Sequence, residues 1–503
     1  MKRSAALIAL LSTSCATMEP KLDRADPAIP ESWPTGSSIL AQTEAGLPAV
    51  TYKQIFTDPR LQTLIAQALV NNRDLMTAAS NIAAAREQYR IQRAQQFPQV
   101  DASAGATVSG KRSSSSTNGS GSGSGSSSGS GGGVSASYTA GLSVPSFEVD
   151  LFGRLRSLTH AEFERYLATE AGARSTRLTL VADIADGWLD YATDSSLLLI
   201  AQETLKSAQE SVRLTRIRLE GGVAPRTDLD QAQLILTQAE ADVAQQKTNV
   251  AQDANALQLL VGAPVAPTLL PRSIDDALPK IGELPAGVDS YVLLRRPDVL
   301  QAEYDLRAAN ANIGAARAAL FPKISLTGLL GFASSALLKL FSGGSFGWSA
   351  GANASYTIFQ AGAGHANVRL SEAQRNAALA TYQHAVQTAF RDVSDALARR
   401  ATMDDQLGAA QRQEAAAADN YLLTEARYRA GVDPFLNVLV AQRAYYGAQN
   451  SLVQTKATAG RNRVSLYQSL GGDSLIENSP LCAVDYVSNG GNATLTTDCR
   501  KNA

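Results

Sequence analysis

Three histidines, three cysteines and 46 carboxylates are the side chains from which this chain of 503 residues could build chemistry. His160, His365 and His384 stand far apart, without the short spacing that puts two imidazoles on one metal ion. There is no G-x-S-x-G nucleophile turn, no H-E-x-x-H and no P-loop. The one Gly-rich run lacks the Lys-Ser/Thr and the strand–loop–helix setting of a phosphate cradle. Asp and Glu are spread along helical stretches in the manner of solvated faces. No catalysis, cofactor or metal is expected. Thiol chemistry is the exception. Cys482 and Cys499 form an even pair in a tail containing Pro, Asn and Gly, and in an exported chain they are expected to join as a disulfide. A loop of that size contributes ~3 kcal/mol in the chain-entropy description.

Export is what the N-terminus implies. "MKRSAALIALLSTSC" has Lys2 and Arg3, an apolar stretch Ala5–Leu11 and then small residues, a secretory signal too short to span a bilayer. It resembles a bacterial lipoprotein signal in which the cysteine, here Cys15, is lipidated after cleavage. Leu11 stands four residues before Cys15, where such signals usually place Leu three before. The net charge of −1 offers no basic face, so a nucleic-acid partner is not expected.

The elements that must position anything else come in two copies. "GGVAPRTDLDQAQ" (221–233) returns as "AGVDPFLNVLVAQ" (430–442): adding 209 maps Gly222 to Gly431, Val223 to Val432, Pro225 to Pro434 and Asp228 to Asn437. At an offset of 224, Asp74 maps to Asp298, Arg93 to Arg317, Phe97 to Phe321 and Pro98 to Pro322. The order is shared: helix, Phe-Pro, a Gly/Ser-containing region, a long helix, G-V-x-P, another long helix. The chain is therefore expected to hold two tandem repeats, 60–262 and 285–472, joined by a linker over 263–284. Before them lie a signal peptide over 1–14 and a lipidated segment over 15–59; a tail follows over 473–503. Helical hairpins are expected over about 154–262 and 363–472. A helix of sixty-odd residues is a rod of about 100 Å that other helices must sheathe. Its apolar spacing, as in Leu178, Val181, Ile184, Trp188 and Tyr191, fits that role.

Four segments have period two instead. Apolar or Ala residues alternate with small polar ones over about 99–109, 134–146, 323–332 and 346–358. Strands of this length, apolar on one face, suit an outer-membrane β-barrel with a watery lumen. The run "RSSSSTNGSGSGSGSSSGSGGG" (112–133) between the first two reads as an extracellular loop. Four strands cannot close a barrel, so copies must share one. Two copies supply eight strands and three supply twelve, and the pattern does not choose between them.

"NNRDLMTAASNIAAAREQYRIQRAQQFPQV", "FEVDLFGRLR", "RLEGGVAPRTDLDQAQ", "RRPDVLQAEYDLRAANANIGAARAALFPKISLTG" and "RYRAGVDPFLNVLVAQ" resemble the bacterial outer-membrane efflux proteins, the TolC-like outer-membrane factors, in their lipoprotein branch. The resemblance implies a homotrimer with a transmembrane β-barrel of twelve strands on a twelve-helix periplasmic tunnel. It also implies a periplasmic adaptor, an inner-membrane pump and outer-membrane lipid as partners. The function implied is a passive exit duct for drugs or other small molecules in a tripartite efflux pump. A duct for type I protein secretion, or a coiled-coil surface scaffold without a pore, are the alternatives. In such proteins the hairpin tips meet the adaptor; here that means Arg218, Gly222, Val223 and Pro225 with Arg427, Gly431, Val432 and Pro434. Acidic rings near the tips close the periplasmic aperture, and the matching stretch "AAAADNYLLTEARYRAGV" nominates Asp419.

Overall fold

The computed structural model describes residues 17–22, 51–110, 134–282 and 290–472. Cys15, the pair Cys482 and Cys499, the signal segment and the whole Gly/Ser run over 112–133 lie outside the described residues. In chain order the main elements are α1 (Pro59–Asn71), α2 (Arg73–Ala94), β1 (Asp101–Gly110), β2 (Val134–Val149), α3 (Arg154–Glu220) and α4 (Arg226–Val261). Then follow α5 (Pro297–Ala318), β3 (Lys323–Ser334), β4 (Phe346–Ser355), α6 (Ala363–Arg429) and α7 (Phe435–Ser469). The described residues divide into two compact units: those within Met1–Asp23, Ala85–Arg165 and Leu306–Ala378 in one, those within Arg24–Ala84, Tyr166–Asp305 and Leu379–Ala503 in the other.

The first unit holds one antiparallel sheet in the order β1-β2-β3-β4. Period-two patterning becomes faces here, because paired strands bring like parity together. Ala104, Ala140, Phe332 and Phe346 form one cross-strand row, and Ala102, Leu142, Leu330 and Trp348 the next on the same face. The intervening row on the other face is Ser103, Gly141, Gly331 and Gly347. A Cβ on Gly141 would lie 2.7 Å from the Leu330 carbonyl oxygen, so glycine permits this close crossing. The β2–β3 register shifts between Val144 and Phe147, where Pro145, which has no N–H to offer a ladder, is accommodated. Alternation runs to Ile358 in the sequence, yet β4 ends at Ser355. Beyond it the backbone turns through Ala361 (φ 49°) and Gly362 (φ 82°) into α6, so Tyr356 and Ile358 leave the sheet.

Next to the sheet, the two Phe-Pro helix ends close alike. The Phe97 N–H donates to the Ala94 carbonyl at 3.0 Å and that of Phe321 to the Ala318 carbonyl at 3.1 Å. Phe152 stacks on Phe321 at 4.6 Å between ring centroids. The segment 17–22 is held against this unit. Asn310 Nδ2 donates to the Pro20 carbonyl at 2.8 Å, and His160 sits between Glu19 (3.1 Å) and Glu164 (3.2 Å). The two carboxylates, Glu164 foremost, push the His160 imidazole up to about 10.

In the second unit the core forms where α1, α3, α6, α7 and the segments 274–281 and 293–299 meet. Leu178, Val181, Ile184 and Trp188 are buried on one stripe of α3, while Tyr191 at its border is half-buried. The Trp188 indole N–H donates to the Leu269 carbonyl at 3.2 Å, and Phe56 meets Tyr467 edge-on at 5.4 Å. Helix α1 contributes Leu61, Leu64, Ile65 and Ala68, one face of a helix started by Pro59 behind its N-cap Asp58. Asn72 breaks the helix and begins the next, its Oδ1 accepting from the N–H groups of Asp74 and Leu75.

Candidate functional site

Both hairpin tips lie in the second unit, and both are built from the same backbone device. At the end of α3, Gly222 adopts φ 73°, its N–H donates to the Leu219 carbonyl at 2.9 Å, and the Val223 N–H reaches back to the Arg218 carbonyl at 2.9 Å. At the end of α6, Gly431 adopts φ 76°, donates to the Tyr428 carbonyl at 2.9 Å, and Val432 reaches the Arg427 carbonyl at 2.9 Å. Each is a Schellman closure, which needs a left-handed residue and selects glycine. Pro225 and Pro434 then sit at the N-caps of α4 and α7 with ψ 156° and 153°, and each accepts a 3.1 Å bond from the residue three further on, Asp228 or Asn437.

Where the tips differ is in what their arginines hold. Arg427 forms a two-point ion pair with Asp433 of its own tip, at 2.7 and 3.1 Å. At the position in the first tip that corresponds to Asp433 stands Ala224. Arg218, with no carboxylate there, reaches across instead: its Nη1 donates to the Tyr428 carbonyl at 3.2 Å and its guanidinium lies 4.5 Å from the Tyr428 ring centroid. Tyr428 in turn packs against Phe435 at 5.2 Å, within an apolar cluster of Val212, Ala232, Val438 and Leu439. One tip is therefore clamped internally and the other clamped onto its neighbour. Val223 and Val432 remain 70% and 62% exposed at the extreme end, an apolar pair whose partner is not within this chain's described residues.

Further along the hairpins, Tyr421 Oη and Ser207 Oγ are 3.0 Å apart, and Gln442 Nε2 donates to Ser207 Oγ at 3.3 Å. Asp419 is an exposed residue of α6, two positions from Tyr421. Sequence reasoning missed Tyr428, Asp433 and these polar ties, since only the 209-residue offset, with Ala224 opposite Asp433, carried a trace of the asymmetry. It also missed a ladder of carboxylates. Asp183, Asp186, Asp190 and Asp194 follow one face of α3, Asp253 of α4 faces them, and Arg461 of α7 bonds Asp190 at 3.0 Å. Burial, then the charges of Asp190 and Asp183, pushes the Asp186 carboxyl up to about 7; burial, then Asp194 and Asp190, does the same to Asp253.

No described helix is long and apolar enough to cross a membrane. The sheet has the two-faced character of a lipid-spanning strand set, and long reversing helices carry paired tips, features found in channels that join a β-barrel to helical ducts. Comparison with known proteins places the chain within that class. A sequence model of the outer membrane efflux protein family matches residues 64–263 and 290–472, and the chain belongs to this family. It is 40% identical over 481 residues to the solvent efflux pump outer membrane protein SrpC of Pseudomonas putida, covering 93% of this chain and 98% of that one. It is 35% identical over 469 residues to the cation efflux system protein CusC of Escherichia coli, covering 92% and 98%. Among solved structures, the open-state MtrE outer membrane channel of Neisseria gonorrhoeae matches with a TM-score of 0.80 and 33% identity, covering 91% of this chain and 98% of that one. The protein is thus an outer-membrane channel component of an efflux system, with a long periplasmic portion, and a transport duct instead of an enzyme.

Proposed function

We propose that three copies of this chain form one conduit, a twelve-stranded barrel in the outer membrane and a twelve-helix periplasmic tunnel, through which small molecules leave the cell passively. The observation that carries this reading is the sheet: among the described residues β1 and β4 each keep one edge without a strand partner, while Trp348 and Val108 on the apolar face are 73% and 66% exposed. Open edges are not tolerated in hydrocarbon, so neighbouring copies must complete the ring. Helix α2 supports it, for none of its 22 residues is buried by the single chain. The mature protein is lipidated at Cys15, and Cys482 pairs with Cys499. Repeats 60–262 and 285–472 each supply two strands and one hairpin.

The tips, through Arg218, Gly222, Val223, Pro225, Arg427, Gly431, Val432 and Pro434, dock a periplasmic adaptor protein that couples the duct to an inner-membrane pump. Asp419 from three copies rings the aperture. Three carboxylates around an axis attract cations and repel one another, which makes them a gate that cations can block. The cargo is drugs or other small molecules, a class that includes the solvents for whose efflux SrpC is named. Native mass spectrometry of the detergent-solubilised protein and planar-bilayer recording test the reading together. A trimer with cation-blockable conductance is expected, with Asp419→Ala raising conductance and weakening the block. A monomer that stays soluble without detergent refutes it, and an unchanged Asp419→Ala channel removes that residue from the gate.

A further inference from the structure

The loop between β3 and β4 is short, built and apolar. Leu337–Lys339 form a single 3-10 turn. Its frame is closed by bonds from the Leu340 N–H to the Leu337 carbonyl (3.1 Å) and from the Ser342 N–H to the Lys339 carbonyl (3.1 Å). The Ser345 hydroxyl donates to the Leu340 carbonyl at 2.5 Å, and the Ala333 N–H ties the loop's end back to the Ser345 carbonyl at 2.9 Å. Leu340 fills the inside of this frame. Outside it stand Leu338, 100% exposed, with Phe341 and Leu337 at 74% and 60%.

A loop in water has no use for three such side chains held outward by its own hydrogen bonds; a contiguous apolar patch marks a contact surface. Its place in the sheet says which contact. Phe341 meets Phe332 edge-on at 5.3 Å, and Phe332 meets its cross-strand partner Phe346 at 5.6 Å. Phe332 and Phe346 belong to the apolar face of the sheet, one row beyond Leu330 and Trp348. The loop therefore continues the apolar row past the strand ends on that same face, not on the face of Ser103, Gly141, Gly331 and Gly347. Lys339, exposed in the same turn, can lay its methylenes along the patch and carry its ammonium to phosphate level.

We propose that this turn is a lipid-seated anchor: Leu337, Leu338 and Phe341 rest in the acyl–headgroup boundary of the outer leaflet, on the outside of the barrel, and the loop does not fold over the pore mouth. The inference rests on the barrel reading above, and Trp348 separates the two. The full mature protein is reconstituted in phosphatidylcholine vesicles whose acyl chains are brominated at shallow or deep positions, and tryptophan emission is compared for wild type, Trp348→Phe and Leu338→Trp/Trp348→Phe. Leu338 touches nothing, so its substitution does not burden folding. The expected result is that the emission added by Leu338→Trp is quenched by shallow bromines more than by deep ones and resists aqueous acrylamide. Quenching by acrylamide and not by brominated lipid, with Trp348 still lipid-quenched, overturns the anchor and leaves the barrel standing. Loss of lipid quenching at Trp348 as well overturns both.

Discussion

Arg218 ties the first hairpin tip to the second through its charged side chain, so its removal measures how firmly the tips are coupled. Arg218→Ala deletes a charge-assisted bond to the Tyr428 carbonyl (3.2 Å) and a stack on the Tyr428 ring (4.5 Å). Bonds to a charged group are worth about 1.5–3 kcal/mol net, and a cation over an aromatic ring about 0.5–1 kcal/mol at a site still open to water. The residue is half-buried and the site wet, so screening by water brings even the low-end sum of about 2 kcal/mol down to about 1.5 kcal/mol, which is a factor of roughly ten in the local opening equilibrium. Hydrogen exchange read by mass spectrometry on the detergent-solubilised protein should show about tenfold weaker protection, in the limit of fast reclosing, for peptides spanning the ends of α3 and α6. Two controls bound it. Arg213→Ala breaks an exposed pair with Glu210, one turn of the same helix away, and should leave both tips unaltered, since such pairs contribute little. Tyr428→Phe keeps the ring and the backbone carbonyl and removes a buried hydroxyl without a hydrogen-bond partner among the described residues, so it should be neutral or slightly stabilising. Unchanged protection at the end of α6 in Arg218→Ala, or equal loosening in Arg213→Ala, would refute the coupling argument.

Other consequences are narrower. Gly222→Ala and Gly431→Ala place a Cβ where nothing lies within 4 Å, so their cost is that of the left-handed backbone alone, about 1–2 kcal/mol each; tip-local exchange should show it, and Asn at either position should recover part. Asp186, raised from 3.8 to about 7, keeps in the native state a proton that the unfolded chain releases. Its contribution is thus fully present below pH ~4 and is lost as pH climbs to about 7. Asp186→Asn should therefore be more stable in thermal unfolding than wild type at pH 8, by up to a few kcal/mol, with the difference vanishing near pH 4; a gap that does not vary with pH would exclude the burial argument. His160 shifts the other way in charge. Raised to about 10, its contribution is complete below its unfolded value near 6.5, declines steadily above that and is gone by about 10. His160→Ala should speed tryptic cleavage after Lys21, and taking the protein from pH 7 to 8.5 should open the 17–22 segment progressively in the wild type but not in His160→Ala.

What could be read from residues alone was whatever depends on a local period or a local conformational demand. Alternation of Ala102, Ala104 and Ala106 with Ser103, Gly105 and Thr107, or of Trp348 and Ala350 with Ser349 and Gly351, requires only that a strand has two faces. Gly222 and Gly431, each followed by Val and a nearby Pro, specify a left-handed helix closure wherever the rest of the chain lies, which is why the two tips repeat bond for bond. The spacing of Leu178, Val181, Ile184 and Trp188 likewise announced a buried stripe on α3. Partner choice was not local. Arg218 and Arg427 occupy matching positions, but whether an arginine closes on its own tip or on the other depends on Asp433 and Ala224 and on the packing that carries Tyr428 to within 4.5 Å. The shifted carboxyls of Asp186 and Asp253 arise only because α3, α4 and α7 exclude water around like charges. The apolar turn at Leu337–Lys339 takes its meaning from the face onto which Phe341 folds. Covalent geometry and periodicity act over a few residues and are written in the sequence; desolvation and charge proximity act between elements hundreds of residues apart, and only the tertiary structure decides them.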